Sequence, residues 1–292
     1  MTILVTGATG TIGSQVLNQL AGKGADVRAL VRDREKARLP HGVSATKGDM
    51  LDVESLRAAL GGVSTLFLLN AVAPDELNQA LIALNLAREA GIERLVYFSV
   101  IHSDAFANVP HFASKHAAER MIEQMGMHAT ILRPGYFIQN DLGVKQAILE
   151  YGIYPMPIGV RGIGMADVRD IGELAAHELL RRERSATPLP LERLDVVGPE
   201  LLTGPAVAAI WTQALGRPVA YGGDDGAAFE QTMKRFSPGW MAYDLRLMFE
   251  RFQADGMKPA DGDVARLAAI LDHEPRSYRA FVAETAALWK NS

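Results

Sequence analysis

The sequence predicts an α/β protein built on a doubly wound parallel sheet, followed by a smaller C-terminal α/β region. A short apolar strand at residues 3–5 runs into a glycine-rich turn and then into a helix over residues 14–20. Apolar strands and amphipathic helices then alternate, which is typical of βαβ units and a parallel sheet. The length of 292 residues suits one large domain, or a nucleotide-binding domain with a smaller partner.

The expected elements follow from periodicity, apolar runs and capping residues. Further strands are expected at 26–31, 43–50, 65–70, 95–100, 129–132, 194–197 and 218–221. Further helices are expected at 53–60, 75–90, 112–124, 171–182, 205–215, 227–235, 240–253, 264–271 and 277–290. Asp52 and Asp170 are the expected N-caps of two of these helices.

Glycine and proline crowd the chain from Tyr151 onwards. We therefore expect a nucleotide-binding domain over residues 1–150. Residues 151–292 would form a smaller, mainly helical substrate-binding region, from which one helix and one strand can return to the first sheet.

The glycine-rich turn is the strongest functional signal in the chain. A tight turn lets the backbone approach a pyrophosphate, and the following helix N-terminus offers free N–H groups and a positive dipole end. The spacing Gly-x-x-Gly-x-x-Gly is a variant of the dinucleotide fingerprint. The residues expected to bind a dinucleotide at this turn are Gly7, Thr9, Gly10, Thr11, Ile12 and Gly13.

The end of the second predicted strand bears on the choice of cofactor. An acidic residue at this point hydrogen-bonds the 2′-hydroxyl of the adenosine ribose in NAD(H), whereas an arginine binds the 2′-phosphate of NADP(H). Arg32 and Asp33 stand side by side at this strand end, with Arg34 and Lys36 following. Arg32 favours NADP(H), with NAD(H) as the alternative. A solvated charged turn explains Arg34 and Lys36 better than it explains Arg32.

Further cofactor contacts are expected at the ends of later strands. Asp49 can bond the adenine amino group while Met50 covers the ring face. Leu69 and Asn70 end the fourth strand, and Ser99 lies near the end of the fifth. Ligands of open α/β sheets bind at this carboxyl edge.

Composition excludes several other classes of protein. The net charge of −4 and the lack of a dense basic stripe argue against nucleic acid as a partner. Without cysteine there are no disulfides, thiol nucleophiles or Cys-ligated metals, and no convergent metal-ligand set is apparent. No apolar run reaches the roughly 18 residues of a membrane span. We expect a cytoplasmic protein with a small-molecule substrate, and a homodimer as the alternative to a monomer.

His111 and Lys115 are the main candidates for chemistry. They stand four residues apart on one predicted helix, so they share a face after the fifth strand. Lys115 can bond the nicotinamide ribose and assist a neighbouring acid through its charge. His111 can donate a proton, because imidazole exchanges protons near neutral pH. Two solvated side chains are the alternative for this pair, and His116 with Glu119 is interpreted as a solvated face.

Four segments together resemble the NmrA-like atypical short-chain dehydrogenases/reductases. They are residues 6–13, Gly48-Asp49, the run from His111 to Glu119, and residues 132–140. The resemblance implies a Rossmann domain with a small α/β lid, NAD(P) in the cleft and substrate between the two. It also places Pro134, Tyr136 and Phe137 beside the nicotinamide, where Tyr136 can assist protonation.

The chain departs from the wider superfamily at its proton-donating residues. His111 stands where the catalytic tyrosine of Tyr-x-x-x-Lys belongs, and Val100 or Ile101 replaces the catalytic serine. The leading hypothesis is hydride transfer from NAD(P)H to a conjugated acceptor such as a quinone, azo compound or enone. Such acceptors delocalise the developing negative charge and need less help from an acid. The alternative is a non-catalytic NAD(P)-binding sensor that acts through a protein partner.

Overall fold

The computed structural model describes residues 2–290, which form two compact units. The first unit comprises residues 2–104, His111–Arg133 and Val168–Leu194. The second comprises Ala105–Pro110, Pro134–Asp167 and residues 195–290. Residues 134–150 belong to the second of these units, and residues 168–194 belong to the first. The expected domain boundary at residue 150, with one helix and one strand able to return to the first sheet, stays a prediction. The assignment of cofactor and substrate to separate regions stays a prediction.

Strands and helices alternate along the first half of the chain, and helices predominate towards its C-terminus. In chain order the elements are β1 (Thr2–Val5), α1 (Thr11–Leu20), β2 (Asp26–Val31), β3 (Val43–Lys47), α2 (Val53–Leu60), β4 (Thr65–Leu68), α3 (Glu76–Glu89), β5 (Arg94–Phe98), α4 (Pro110–Gln124), β6 (Ala129–Pro134), β7 (Tyr136–Phe137), a 3₁₀ helix (Ile138–Val144), α5 (Lys145–Tyr151), β8 (Ile153–Tyr154), β9 (Ile163–Ala166), α6 (Val168–Arg184), β10 (Glu192–Val196), β11 (Leu201–Leu202), α7 (Gly204–Leu215), β12 (Ala220–Tyr221), α8 (Gly226–Met233), α9 (Gly239–Asp255), α10 (Asp263–Leu271) and α11 (Tyr278–Lys290).

A seven-stranded sheet of order β10-β6-β5-β4-β1-β2-β3 forms the centre of the first unit. The pairings from β6 through to β3 are all parallel. Every residue of β1 and β4 is buried, as expected of parallel strands covered on both faces. The predicted α/β class with a parallel sheet is therefore confirmed.

The helix α6 returns to the first unit and packs directly on α1. A Cβ added at Gly172 would lie 2.5 Å from the Cβ of Gln15, so only glycine allows the two helices to approach this closely. The buried Glu183 of α6 accepts hydrogen bonds from Ser64 Oγ at 2.7 Å and from Thr65 at the start of β4. These contacts fix α6 at the amino end of the sheet.

The second unit has two small sheets and most of the C-terminal helices. One sheet has the order β11-β9-β7, and the other pairs β12 with β8. Tyr136 of β7 packs against the rings of Phe249 and Phe252 on α9, with centroids 6.0 and 6.1 Å away. These aromatic contacts form part of the unit's core.

Some boundaries differ from the sequence-based expectation. Asp52 does cap α2, accepting from the backbone N–H of Ser55 at 3.2 Å. The expected cap at Asp170 is wrong, because α6 already begins at Val168 and Asp170 lies buried in its first turn. None of the helices described between residues 2 and 290 is long and apolar enough to cross a bilayer.

Candidate functional site

The glycine-rich turn folds as a tight connection between β1 and α1. Gly7 adopts a left-handed φ of 59°, which disfavours residues with a Cβ. The backbone N–H of Gly10 donates to the carbonyl of Gly7 at 3.0 Å. A Cβ at Gly13 would lie 2.2 Å from that same carbonyl oxygen, so α1 can start against the turn only with glycine there.

The N-terminus of α1 faces an open cleft of about 550 Å³. Gly10 is the N-cap and supplies no side chain to bond the first helical N–H groups, which are donors suited to phosphate oxygens. The lining residues are Gly7, Ala8, Thr9, Gly10, Thr11, Ile12, Leu30, Val31, Arg32, Gly48, Asp49, Met50, Leu69, Asn70, Ala71, Ala73 and Gln79. The cleft thus brings together ten of the residues predicted to bind the cofactor. Gly13 packs beneath the turn instead.

Arg32 and Asp33 have different surroundings at the end of β2. Asp33 accepts a hydrogen bond from the backbone N–H of Glu35 at 3.0 Å and pairs with Lys36 at 3.1 Å. The hydrogen bond from Lys36 lowers the pKa of Asp33, so this acid is engaged within its own turn. Arg32 instead lines the cleft with an exposed side chain. This arrangement suits a phosphate group better than a bare hydroxyl.

Asn70 follows β4 and lines the cleft. It is 4% exposed, and within residues 2–290 neither its amide nitrogen nor its amide oxygen has a hydrogen-bond partner. Buried amides are nearly always partnered, so an orphaned amide lining a cleft fits a polar ligand. The glycine cradle, the uncapped helix and this amide together fit a dinucleotide.

Lys115 lies buried on α4 and forms an ion pair that the sequence did not predict. Its Nζ is 2.7 Å from Oε1 of Glu76, in the first turn of α3, and 5.9 Å from the ring centroid of Phe98. The structure therefore places the lysine at the carboxyl end of β5, as expected, and also pairs its ammonium with the carboxylate of Glu76.

Ser99 and Glu119 belong to a second buried network. The Ser99 hydroxyl donates to the Glu119 carboxylate, which also accepts from Ser103 Oγ at 3.2 Å and from the Arg133 guanidinium. The interpretation of Glu119 as part of a solvated face is wrong, because its side chain is fully buried among these donors. The predicted contact of Ser99 with the cofactor remains a prediction, since its hydroxyl already donates a hydrogen bond to Glu119.

His111 lies in the first turn of α4, half-buried, with its ring packed edge-on against Phe112 at 4.7 Å between centroids. It stands one helical turn before Lys115. The proposed proton-donating role of His111 stays a prediction.

The remaining predicted residues, Pro134, Tyr136 and Phe137, belong to the second unit. Pro134 ends β6 and is buried, and Phe137 is half-buried in β7, where it pairs with Ala166 of β9. Burial and the nearby Asp141 raise the pKa of Tyr136 well above its ordinary value. A phenol held in this way is a weak acid near neutral pH, which opposes its predicted help in protonation.

Asp141, which the sequence analysis did not single out, is a fully buried acid within the second unit. It accepts from Tyr154 at 3.3 Å and from the Tyr278 hydroxyl, and Tyr278 in turn accepts from Trp211 Nε1 at 2.9 Å. Burial raises the pKa of Asp141 to about 7, against the opposing effect of the two tyrosine donors.

Comparison with known proteins places this geometry in a family. An NAD(P)H azoreductase from Xenophilus azovorans is 36% identical over 225 residues, which is 75% of this chain and 76% of that protein. Quinone oxidoreductase 2 of Escherichia coli is 28% identical over 242 residues, covering 80% of this chain and 81% of that protein. The crystal structure of NADPH-dependent quinone oxidoreductase QOR2 from Escherichia coli, complexed with NADPH, has a TM-score of 0.85 at 25% identity and covers 99% of this chain and 100% of that one.

The match to the family as a whole covers more of this chain than the sequence alignments with the azoreductase and with quinone oxidoreductase 2 do. The NmrA-like family is matched over residues 1–281, which is almost the whole chain. This protein therefore belongs to the NmrA-like family.

Proposed function

We propose that this protein is an NADP(H)-dependent reductase that acts on a conjugated small molecule, such as a quinone, azo compound or enone. The observation that carries the proposal is the cleft at the glycine turn, which is lined by Arg32 and by the orphaned Asn70 amide. The azoreductase and quinone oxidoreductase relatives support the choice of acceptor class.

The residues of the cleft account for binding of the cofactor. The N–H groups at the start of α1 and the bare backbone of Gly7 and Gly10 would hold the pyrophosphate. Arg32 would hold the 2′-phosphate, Asp49 and Met50 the adenine, and Lys115 the nicotinamide ribose. When bound, NADPH supplies a hydride to the acceptor. The matching proton would come from His111 or from water.

Arg32 is expected to decide the preference between the two nicotinamide cofactors. Arg32→Ala should weaken NADPH binding by roughly 10- to 100-fold, because a charged hydrogen bond to phosphate is worth about 1.5–3 kcal/mol. NADH binding should change little, since NADH lacks the 2′-phosphate. Calorimetric titration with both cofactors measures the difference. Arg34→Ala, an exposed neighbour that does not line the cleft, is the matched control.

Turnover tests the reductase assignment directly. The unaltered protein should oxidise NADPH in the presence of at least one member of a panel of quinones and azo dyes. Lys115→Met should lower kcat/KM by roughly 100-fold, because it removes a fixed donor beside the reacting end of the cofactor. Lys23→Met, at an exposed lysine after α1, should leave the rate unchanged.

The second candidate is a sensor that binds NADP(H) without turnover. His111 in place of the usual tyrosine is the observation that favours it. Tight NADPH binding with no oxidation across the whole panel would contradict the reductase and support the sensor. The next measurement would then compare the oligomeric state and the binding of protein partners with and without NADPH.

A further inference from the structure

The Lys115–Glu76 ion pair is an unusual feature of the first unit. Both side chains are almost wholly buried, at 6% and 3% exposure, and their charged atoms lie 2.7 Å apart. A buried ion pair gains little stability, because the cost of removing two charges from water offsets their attraction. Stability alone is therefore a weak reason for placing these two charges at this point.

Both side chains of the pair also have hydrogen-bonding positions that their ion pair does not use. The Oε2 atom of Glu76 is buried and has no hydrogen-bond partner among the residues that the structure describes. The Lys115 ammonium has three N–H donors, and within residues 2–290 its one hydrogen-bond acceptor is Glu76. Polar groups held out of water with open donor and acceptor positions are suited to a polar ligand.

The pair lies at the edge of the sheet where ligands bind. Glu76 stands three residues before Gln79, which lines the cofactor cleft, and residues three apart share a helix face. Phe98, beneath the ammonium, is the last residue of β5, next to β4 in the sheet. The carboxyl ends of neighbouring parallel strands meet at one edge.

We propose that Glu76 is a positioning residue of the reductase, an inference that rests on the proposed function. Glu76 holds the Lys115 ammonium in place and cancels its charge. Lys115 then serves the ribose hydroxyls as an oriented hydrogen-bond donor rather than as an isolated cation. The expected assistance of a neighbouring acid by the charge of Lys115 stays a prediction.

Glu76→Gln tests the proposal through NADPH affinity, which is measured without turnover. Loss of the counter-charge should weaken NADPH binding by roughly tenfold, because Lys115 is no longer held in its binding position. The matched control is Glu183→Gln, which alters another buried acid of the same unit that bonds Ser64 and Thr65. The control should lower the melting temperature while leaving NADPH affinity unchanged.

A double-mutant cycle shows whether Glu76 acts through Lys115. Lys115→Met alone should weaken NADPH binding, and adding Glu76→Gln should cause no further loss, because the residue that Glu76 positions is already absent. The double variant removes both buried charges and is expected to fold even if Glu76→Gln alone does not. A further loss in the double variant would overturn the proposal.

The remaining outcomes separate this inference from the proposed function. Wild-type NADPH affinity in a folded Glu76→Gln variant would overturn the positioning role and leave the reductase assignment standing. Failure of the unaltered protein to bind NADPH would overturn both.

Discussion

Replacing Gly13 by alanine is expected to destabilise the first unit by on the order of 3 kcal/mol and to abolish measurable NADPH binding. The added Cβ would lie 2.2 Å from the carbonyl oxygen of Gly7 and 2.7 Å from its carbonyl carbon. Both are backbone atoms, so they cannot rotate aside as a flexible side chain would. The turn itself must move, and the donors that would face the pyrophosphate move with it.

Urea unfolding and NADPH titration measure the two effects of Gly13→Ala separately. The matched control is Gly239→Ala, at the first position of α9. There the added Cβ meets no heavy atom of the described residues within 4 Å, apart from its chain neighbours and the backbone of its own helix. The control should stay within about 0.5 kcal/mol of the unaltered protein. Unchanged stability and affinity in Gly13→Ala would show that the turn is not the cofactor cradle.

The second large effect is a loss of stability as pH rises from about 4 to about 7. Burial raises the pKa of Asp141 from 3.8 to about 7, so the folded protein holds this proton over a pH range in which the unfolded chain has lost it. Because the folded state binds more protons between these values, the free energy of unfolding falls as pH rises from about 4 to 7. The free energy of unfolding should fall by about 4 kcal/mol over this whole range, because one pKa unit corresponds to about 1.4 kcal/mol.

Asp141→Asn should remove this contribution, because the amide carries no charge to bury. Its free energy of unfolding should exceed that of the unaltered protein at pH 8, and the difference should vanish near pH 4. Tyr154→Phe is the companion variant. It removes a hydrogen bond that lowers the pKa of Asp141, so the upper limit of the pH window should rise, while the lower limit, set by the unfolded chain, should stay near pH 4. Equal pH dependence in Asp141→Asn and the unaltered protein would contradict the assignment to Asp141.

Much of the fold follows from local sequence patterns. Apolar runs mark β1 and β4 because parallel strands are buried on both faces, and helices such as α2 follow from their periodicity and cap. The sequence allows one helix to return to the first sheet, but the place where that helix packs was harder to predict. The packing of α6 on α1 depends on Gly172 meeting Gln15, a contact between residues far apart in the chain that no local pattern reveals.

In the candidate site too, features set by local sequence could be predicted, whereas features set by contacts between distant residues could not. The glycine turn, Arg32 and Asn70 could be identified because their roles depend on backbone geometry and on their position at strand ends. Glu76 and Glu119 were missed or misassigned because a charged residue on a helix usually faces water. Their burial depends on partners such as Lys115 and Arg133, which lie on other elements. One sequence feature could have indicated Glu76, namely its position in the first turn of α3, the helix that follows β4.

The interleaving of the two units has a consequence for synthesis on the ribosome. Thr65 of β4 bonds Glu183, 118 residues later in the chain. At about 5–20 residues per second, this intervening stretch takes roughly 5–25 s to translate. Until then the apolar surfaces that α6 covers have no native partner. We therefore expect nascent chains to need chaperone protection during this interval, and folding of the first unit to complete only after residue 194 has emerged.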